Sequence, residues 1–183
     1  MKPQQPDPVK LLAGILYSDP DLLEKGLAAL ADAFGPVDFY SRPFQFDSTE
    51  YYTSEMGSTI RRVFVSFERL VSPQSLAHAK MQTNFIEEAL SVCGARKVNI
   101  DSGIMDYDKV VLASAKYNGQ KIYLDHGIWA DLTLHFTKGR FEPYPWSFPD
   151  FKQGLYEDVF LEIRRIFKLQ RRLLDRSGRL PST

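Results

Sequence analysis

Residues 116–140, KYNGQKIYLDHGIWADLTLHFTKGR, decide the fold class. Three turn signals divide the stretch. Asn118-Gly119 is the strongest two-residue hairpin signal, Asp125-His126-Gly127 is a second turn, and Lys138-Gly139 a third. Between them the runs alternate apolar and polar, the period of strands with one buried face. A two-residue turn at Asn118-Gly119 pairs Tyr117 with Gln120 and Ala115 with Ile122. A three-residue loop at 125–127 pairs Leu124 with Ile128 and Ile122 with Ala130, and the last turn pairs Phe136 with Phe141. In that register Ala113, Ala115, Ile122, Leu124, Ile128, Ala130, Leu132, Leu134 and Phe136 share a core face. Lys121 then faces Asp131, and His135 faces Glu142, as cross-strand pairs. The stretch reads as a β-meander.

Upstream, VKLLAGILYS (residues 9–18) reads as a buried strand. Asp19 and Pro20 open a helix, and Gly35-Pro36 stops it. VDFYSRPFQF (37–46) is a second strand, with Pro43 marking an edge or a bulge. Residues 47–58 read as an acidic, aromatic loop, and TIRRVFVSFERLV (59–71) as a third strand. Ser72-Pro73 opens a second helix to about Leu90, with a stripe of Leu76, Ala79, Thr83, Ile86 and Leu90. RKVNI (96–100) is a short strand. Strand-helix-strand-strand-helix-strand is the order of a ferredoxin-like split βαβ unit. Downstream, a Pro-rich connection leads to a last helix from about Leu155 to Leu174. The expected fold is α+β: a mostly antiparallel sheet, ferredoxin-like in its first half, continued by the meander and a C-terminal helix. One domain is expected over 1–183, with flexible ends at 1–8 and 177–183.

Hydrophobic residues make up 44% of the chain, enough for a packed core. Twenty-three basic residues balance 23 acidic ones, so no global field draws the chain to nucleic acid or anionic lipid. The single cysteine, Cys93, cannot staple the chain or build a cysteine zinc site. MKPQQPDPVK lacks a signal-peptide h-region, and VKLLAGILY is too short to span a bilayer. The expected location is cytoplasmic, without membrane contact.

Six segments in order, FDSTEYYTSEMG, KMQTNFIEEAL, RKVNIDSG, KVVLASAK, IYLDHGIWADLTL and PWSFPD, resemble a bacterial family of unknown function, the domain of unknown function family numbered 4416. The resemblance covers nearly the whole chain and carries no established activity. Members are sometimes labelled "GTP-binding protein". This sequence has neither a P-loop-type G-x-x-x-x-G-K-[ST] motif nor an Asn-Lys-x-Asp motif for guanine.

Three segments carry candidate chemistry. In the loop, Asp47, Glu50 and Glu55 are oxygen donors for a divalent metal, and Tyr51 and Tyr52 can stack on a flat ligand. On the second helix, Lys80, Asn84 and Glu87 share a face beside the buried stripe; a lysine there meets an anion and a glutamate acts as base. On the short strand, Asn99 and Asp101 share a face at a strand end, where an Asx turn into Gly103 is the simpler explanation. If the three meet, they form a site for a small anionic or nucleotide-like ligand, with metal-assisted hydrolysis as a further step. Glu55, Glu87 and Asp101 are then the catalytic candidates, Lys80, Asn84, Asn99, Tyr51 and Tyr52 the ligand-binding ones, and Asp47, Glu55 and Asp101 the metal ones. The alternative is a non-catalytic protein-interaction module. It would use the meander face, with Tyr123 and Trp129, or the basic C-terminal helix with Arg164, Arg165, Lys168, Arg171, Arg172, Arg176 and Arg179. Nucleic acid is not the expected partner, because no aromatic residues interleave those charges.

Overall fold

The computed structural model describes residues 2–47, 52–57 and 59–176. Its frame is one nine-stranded, antiparallel sheet. β1 (Val9–Tyr17) is buried throughout and apolar except for Lys10, as suits a central strand. α1 (Pro20–Phe34) starts where the Asp19 side chain accepts from the Asp21 and Leu22 amides. β2 (Val37–Tyr40) and β3 (Phe44–Gln45) follow. The expected single strand over 37–46 is thus two strands. The chain breaks at Ser41-Arg42-Pro43, where Pro43 has no amide to give the ladder. The short α2 (Thr53–Met56) lies inside the segment read as loop. β4 (Arg61–Val71) leads through a 3-10 turn into α3 (Leu76–Ala89) and then β5 (Val98–Met105).

The spatial order of these long strands is β2-β4-β1-β5, each pair antiparallel. Each helix therefore joins two strands with a third between them. α1 and α3 cover one face, packing Leu23, Leu30, Leu76 and Ala79 on Ala13, Ile15, Val63, Val65 and Ile100. β6 (Lys109–Ser114), β7 (Ile122–Asp125), β8 (Ile128–Thr137) and β9 (Arg140–Pro143) extend the sheet. α4 (Pro149–Lys152) and α5 (Glu157–Arg176) close the opposite face. There Val159, Phe160 and Ile163 pack on Leu12, Phe64, Met105 and Leu134.

The structure corrects three parts of the register expected for 113–136. First, β6 pairs with β8, not with β7, so the Tyr117–Gln120 and Ala115–Ile122 pairs do not form. Asn118 closes a local turn instead, its carbonyl accepting from the Lys121 amide at 2.9 Å. The reason is burial. Val110 to Ala113 is buried on both faces and needs a neighbour long enough to cover it. Ten-residue β8 supplies that, whereas the four residues of β7 are exposed. Second, a bulge sets Val110 opposite Leu134 and Val111 opposite Leu132, which leaves Thr133 unpaired. Ala113, Ile128 and Ala130 face α3, but Leu134 and Phe136 turn to the α5 side. Third, of the later pairs, Ile122 with Ala130, Phe136 with Phe141 and His135 with Glu142 form, but the expected Leu124–Ile128 pair does not. His126 and Gly127 both have positive φ, which narrows the second loop to two residues and sets Asp125 opposite Ile128.

The last helix buries Arg171 and leaves Leu173 65% exposed. Arg171 Nη2 meets Asp7 Oδ2 at 3.0 Å, a pairing that ties α5 to the N-terminal segment.

β5 and β6 approach closely at Gly103. A Cβ there would sit 2.7 Å from Leu112 Cδ2 and 2.9 Å from the Val111 carbonyl oxygen. Gly103→Ala should therefore destabilise the fold by about 1–3 kcal/mol, read as a lower midpoint in urea unfolding.

Candidate functional site

The site begins with a gap in the sheet. β5 pairs with β1 along its whole length, from Val98 to Met105. It pairs with β6 only at Gly103–Met105. The outer backbone groups of its first half therefore need other partners. α3 supplies them from one face of the helix, two turns apart. Glu87 Oε1 accepts from the Ile100 amide at 2.9 Å, and Lys80 Nζ donates to the Ile100 carbonyl at 2.7 Å. The two side chains meet at 3.2 Å. Both are buried. Burial pushes the Glu87 carboxyl above its ordinary range, against the pull of the Lys80 charge.

Arg96 carries the network outward. Its Nη1 lies 3.6 Å from Glu87 Oε2 and donates to Asn99 Oδ1 at 3.3 Å. Its Nε donates to Glu55 Oε2 at 2.8 Å. That hydrogen bond is the main reason the guanidinium sits above its ordinary pKa. Lys97 Nζ donates to the Glu55 main-chain oxygen at 2.7 Å. Met56, the next residue of α2, is buried with Leu16, Phe46 and Ile60, which fixes where Glu55 stands.

The chain of contacts also runs across the sheet. Asn99 Nδ2 donates to Asp101 Oδ1 at 3.1 Å, and Asp101 Oδ2 lies 3.4 Å from Arg62 Nη2. Arg62 Nη1 pairs with Asp150, which also accepts from Tyr156 Oη at 3.0 Å. The guanidinium of Arg62 lies 4.7 Å from the Phe46 ring, with Phe64, Phe151 and Tyr156 further out. Burial pushes the Tyr156 phenol well up, so it serves as a hydrogen-bond donor at neutral pH.

Five residues singled out from the sequence thus meet: Glu55, Lys80, Glu87, Asn99 and Asp101. The Asx turn weighed for Asp101 is not what forms; Asp101 continues β5 and faces Asn99 and Arg62. Asn84 is half-buried on α3 and makes no hydrogen bond among the described residues. Tyr52 packs on Phe46, ring centroids 6.1 Å apart. Asp47 is exposed and stands outside the network. Glu50 and Tyr51 lie outside the described residues. Among the described residues, no three His, Cys, Asp or Glu side chains gather to hold a metal ion.

Arg62, Arg96, Asp150 and Tyr156 were not anticipated. A signal existed for Arg62. It shares strand parity with Phe64 and Ser66, opposite the Val63, Val65 and Phe67 face. If a second layer covers that face, Arg62 must be buried and paired. Arg96 was expected on the strand over 96–100, with the parity of Val98 and Ile100; β5 instead starts at Val98 and leaves Arg96 in the irregular loop after α3.

The exposed end of the network borders an open depression of about 440 Å³, lined by Ser18, Asp19, Leu22, Met56, Thr59, Val92 and Lys97. A groove of about 420 Å³ between the N-terminal segment, the β5–β6 turn and α5 stands apart from it.

A family model described as "Domain of unknown function (DUF4416)" matches residues 7–167. The chain belongs to this family. The matched span holds every member of the ionic network, from Glu55 to Tyr156. No curated protein and no solved structure shows significant similarity to the chain. No helix among the described residues is long and apolar enough to cross a membrane.

The raised Glu87 pKa fixes a pH dependence. An acid whose folded pKa exceeds its unfolded value loses stability as pH climbs through that interval. The stability of the wild type relative to Glu87→Gln should fall as pH rises from about 4.5, then level off above the folded pKa. Paired urea titrations at several pH values test this; a difference that rises with pH would contradict it.

Proposed function

We propose that the protein binds a small anionic ligand, of the phosphate or nucleotide kind, at the Arg96–Glu55 pair, next to the depression that Met56 and Lys97 line. The observation that carries the reading is the convergence of Glu55, Lys80, Glu87, Asn99 and Asp101 on Arg96 and Arg62. The network grades from buried to open. Lys80 and Glu87 side chains are 9% and 6% exposed, while Arg96 is 34% exposed. A buried end holds a cation whose other end meets solvent. Lys97, one residue on, lines the neighbouring depression and brings a second cation beside the pair. In this reading Lys80 is a positioning residue, since its ammonium is committed to Glu87 and Ile100. The guanidinium fork of Arg96 suits an oxyanion better than a point charge would. Hydrolysis through a divalent metal draws no support from the arrangement, because Glu55 and Asp101 each face an arginine.

Thermal unfolding in the presence of inorganic phosphate, pyrophosphate and adenosine monophosphate tests the reading. At least one should raise Tm, with about 2.7 kcal/mol of stabilisation at a hundredfold excess over Kd. Arg96→Ala combined with Lys97→Ala should remove the shift. No shift with any of the three overturns the reading.

A second reading has its own observation. Among the described residues β7 has no strand on its outer side, and Tyr117, Ile122 and Tyr123 are each more than half exposed. Tyr117 and Tyr123 pack edge-on against Trp129, centroids 5.0 and 5.1 Å away. A contiguous aromatic patch on a free strand suits a protein partner. The basic α5 suits one less well. Arg164 lies over Phe136, and Arg165 pairs with Glu162. Tyr123→Lys should leave the fold and any anion response intact and abolish retention of a partner that the wild type captures in a pull-down. Retention by both would remove β7 from the interface.

A further inference from the structure

We infer that Glu55 is a built-in competitor for the ligand: its carboxylate occupies the position on Arg96 that the ligand's oxyanion takes. The inference rests on the anion-binding reading above and adds how that site is regulated.

Arg96 presents two edges. One, through Nη1, is spent on Asn99 and Glu87. The other carries Nε and Nη2, the pair that takes two oxygens of a phosphate or carboxylate side by side. Glu55 uses only half of it. One oxygen accepts from Nε at 2.8 Å, and Nη2 has no partner among the described residues. A ligand that engages both donors therefore replaces one hydrogen bond with two.

The incumbent is also easy to displace. The Glu55 side chain is 42% exposed and the Arg96 side chain 34%, so their pair is screened by water. Lys97 holds the main chain of Glu55, not its carboxylate. Met56 anchors the same turn in the core. The side chain can rotate into solvent while α2 stays in place. Nothing comparable is open to Glu87, which is bound to the Ile100 amide and to Lys80. The ligand class follows: a compact oxyanion with at least two coplanar oxygens, able to span Nε and Nη2, with Lys97 close enough to share its charge.

The test measures pyrophosphate affinity by titration calorimetry for the wild type, Glu55→Gln, Arg96→Lys, the Glu55→Gln/Arg96→Lys double variant and Asp108→Asn. Asp108 is an exposed acid on the other groove, so its variant reports the effect of net charge alone. Glu55→Gln should bind roughly threefold tighter or more. Asp108→Asn should match the wild type. In the Arg96→Lys background, which keeps the charge but loses the fork, the gain from Glu55→Gln should disappear. Binding that is unchanged or weaker in Glu55→Gln overturns the competitor role and leaves the site standing. Equal gains in Glu55→Gln and Asp108→Asn also overturn it, as a long-range charge effect. No binding by any of the proteins overturns the anion site and the inference with it. Thermal melts of each variant confirm that a lost signal is not a lost fold.

Discussion

The two outward backbone groups of one residue organise this site. The amide and carbonyl of Ile100 point out of β5 where β6 has already diverged. Leaving either buried group without a partner costs about 1–3 kcal/mol. Water would be the usual solution, but α3 covers this edge, so the partners must come from the helix. A carboxylate for the amide and an ammonium for the carbonyl meet the need. They also bring charge into the interior, where an ion pair alone barely offsets its desolvation. The extra backbone bonds tip that balance. Once Glu87 is fixed there, its second oxygen faces Arg96. Arg96 in turn aligns Asn99 and holds Glu55. The polar cluster is a consequence of finishing a sheet edge, and its outer members inherit a fixed geometry.

The other face of the sheet shows the same logic with a different helix. Lys10 is fully buried on β1. Burial holds its pKa below the ordinary lysine value. It nonetheless has an acceptor on each side: Asp38, the Phe67 carbonyl at 2.7 Å, and Gln170 Oε1 of α5 at 2.8 Å. Asp38 also accepts from Ser66 Oγ and Gln170 Nε2. This joins the edge strand, the central strand and the last helix in one satisfied cluster. Arg62 does the corresponding work where α4 meets the sheet, between Asp150 and Asp101. Buried cations thus fasten α4 and α5 to their face of the sheet, and the aromatic residues Phe64, Phe151 and Phe160 fill the space between them.

Periodicity made the elements legible and their pairing only in part. Val63, Val65 and Phe67 announce one buried face of β4, and the hairpin at Lys138-Gly139 follows from turn chemistry alone. What the strand pattern could not carry was competition between neighbours. Ile122 to Asp125 alternates acceptably against β6, but a strand buried on both faces prefers the longer, more apolar partner, and that comparison is tertiary. The bulge at Thr133 was equally invisible. Its carbonyl is satisfied from far along the chain, by Ser147 Oγ and the Tyr144 amide. The candidate site was legible to the extent that its residues lay on regular elements. Lys80 and Glu87 stood out because charges beside an apolar stripe point at a seam. Arg96 did not, since the strand expected over 96–100 gave it the parity of the buried Val98 and Ile100, whereas it lies in the loop before β5. The residue that joins the cluster was one the pattern set on the wrong element.

That asymmetry bears on the anion site proposed above. Regular elements fix the inner half of the network, Lys80, Glu87, Asn99 and Asp101, each held by at least one bond to the sheet or to a neighbour on it. The outer half, Arg96, Lys97 and Glu55, comes from the α3–β5 loop and from a four-residue helix. Loops supported by a rigid scaffold are where binding residues concentrate. An arginine whose inner edge is locked by Asn99 and Glu87 has already lost much of its rotamer freedom on folding. Its outer edge can then meet an anion with little further ordering, which is the condition under which a single guanidinium gives useful affinity. The same locking distinguishes Arg96 from the other exposed cations. Arg172 has no such inner support among the described residues, so holding it on a ligand would cost its side-chain entropy anew.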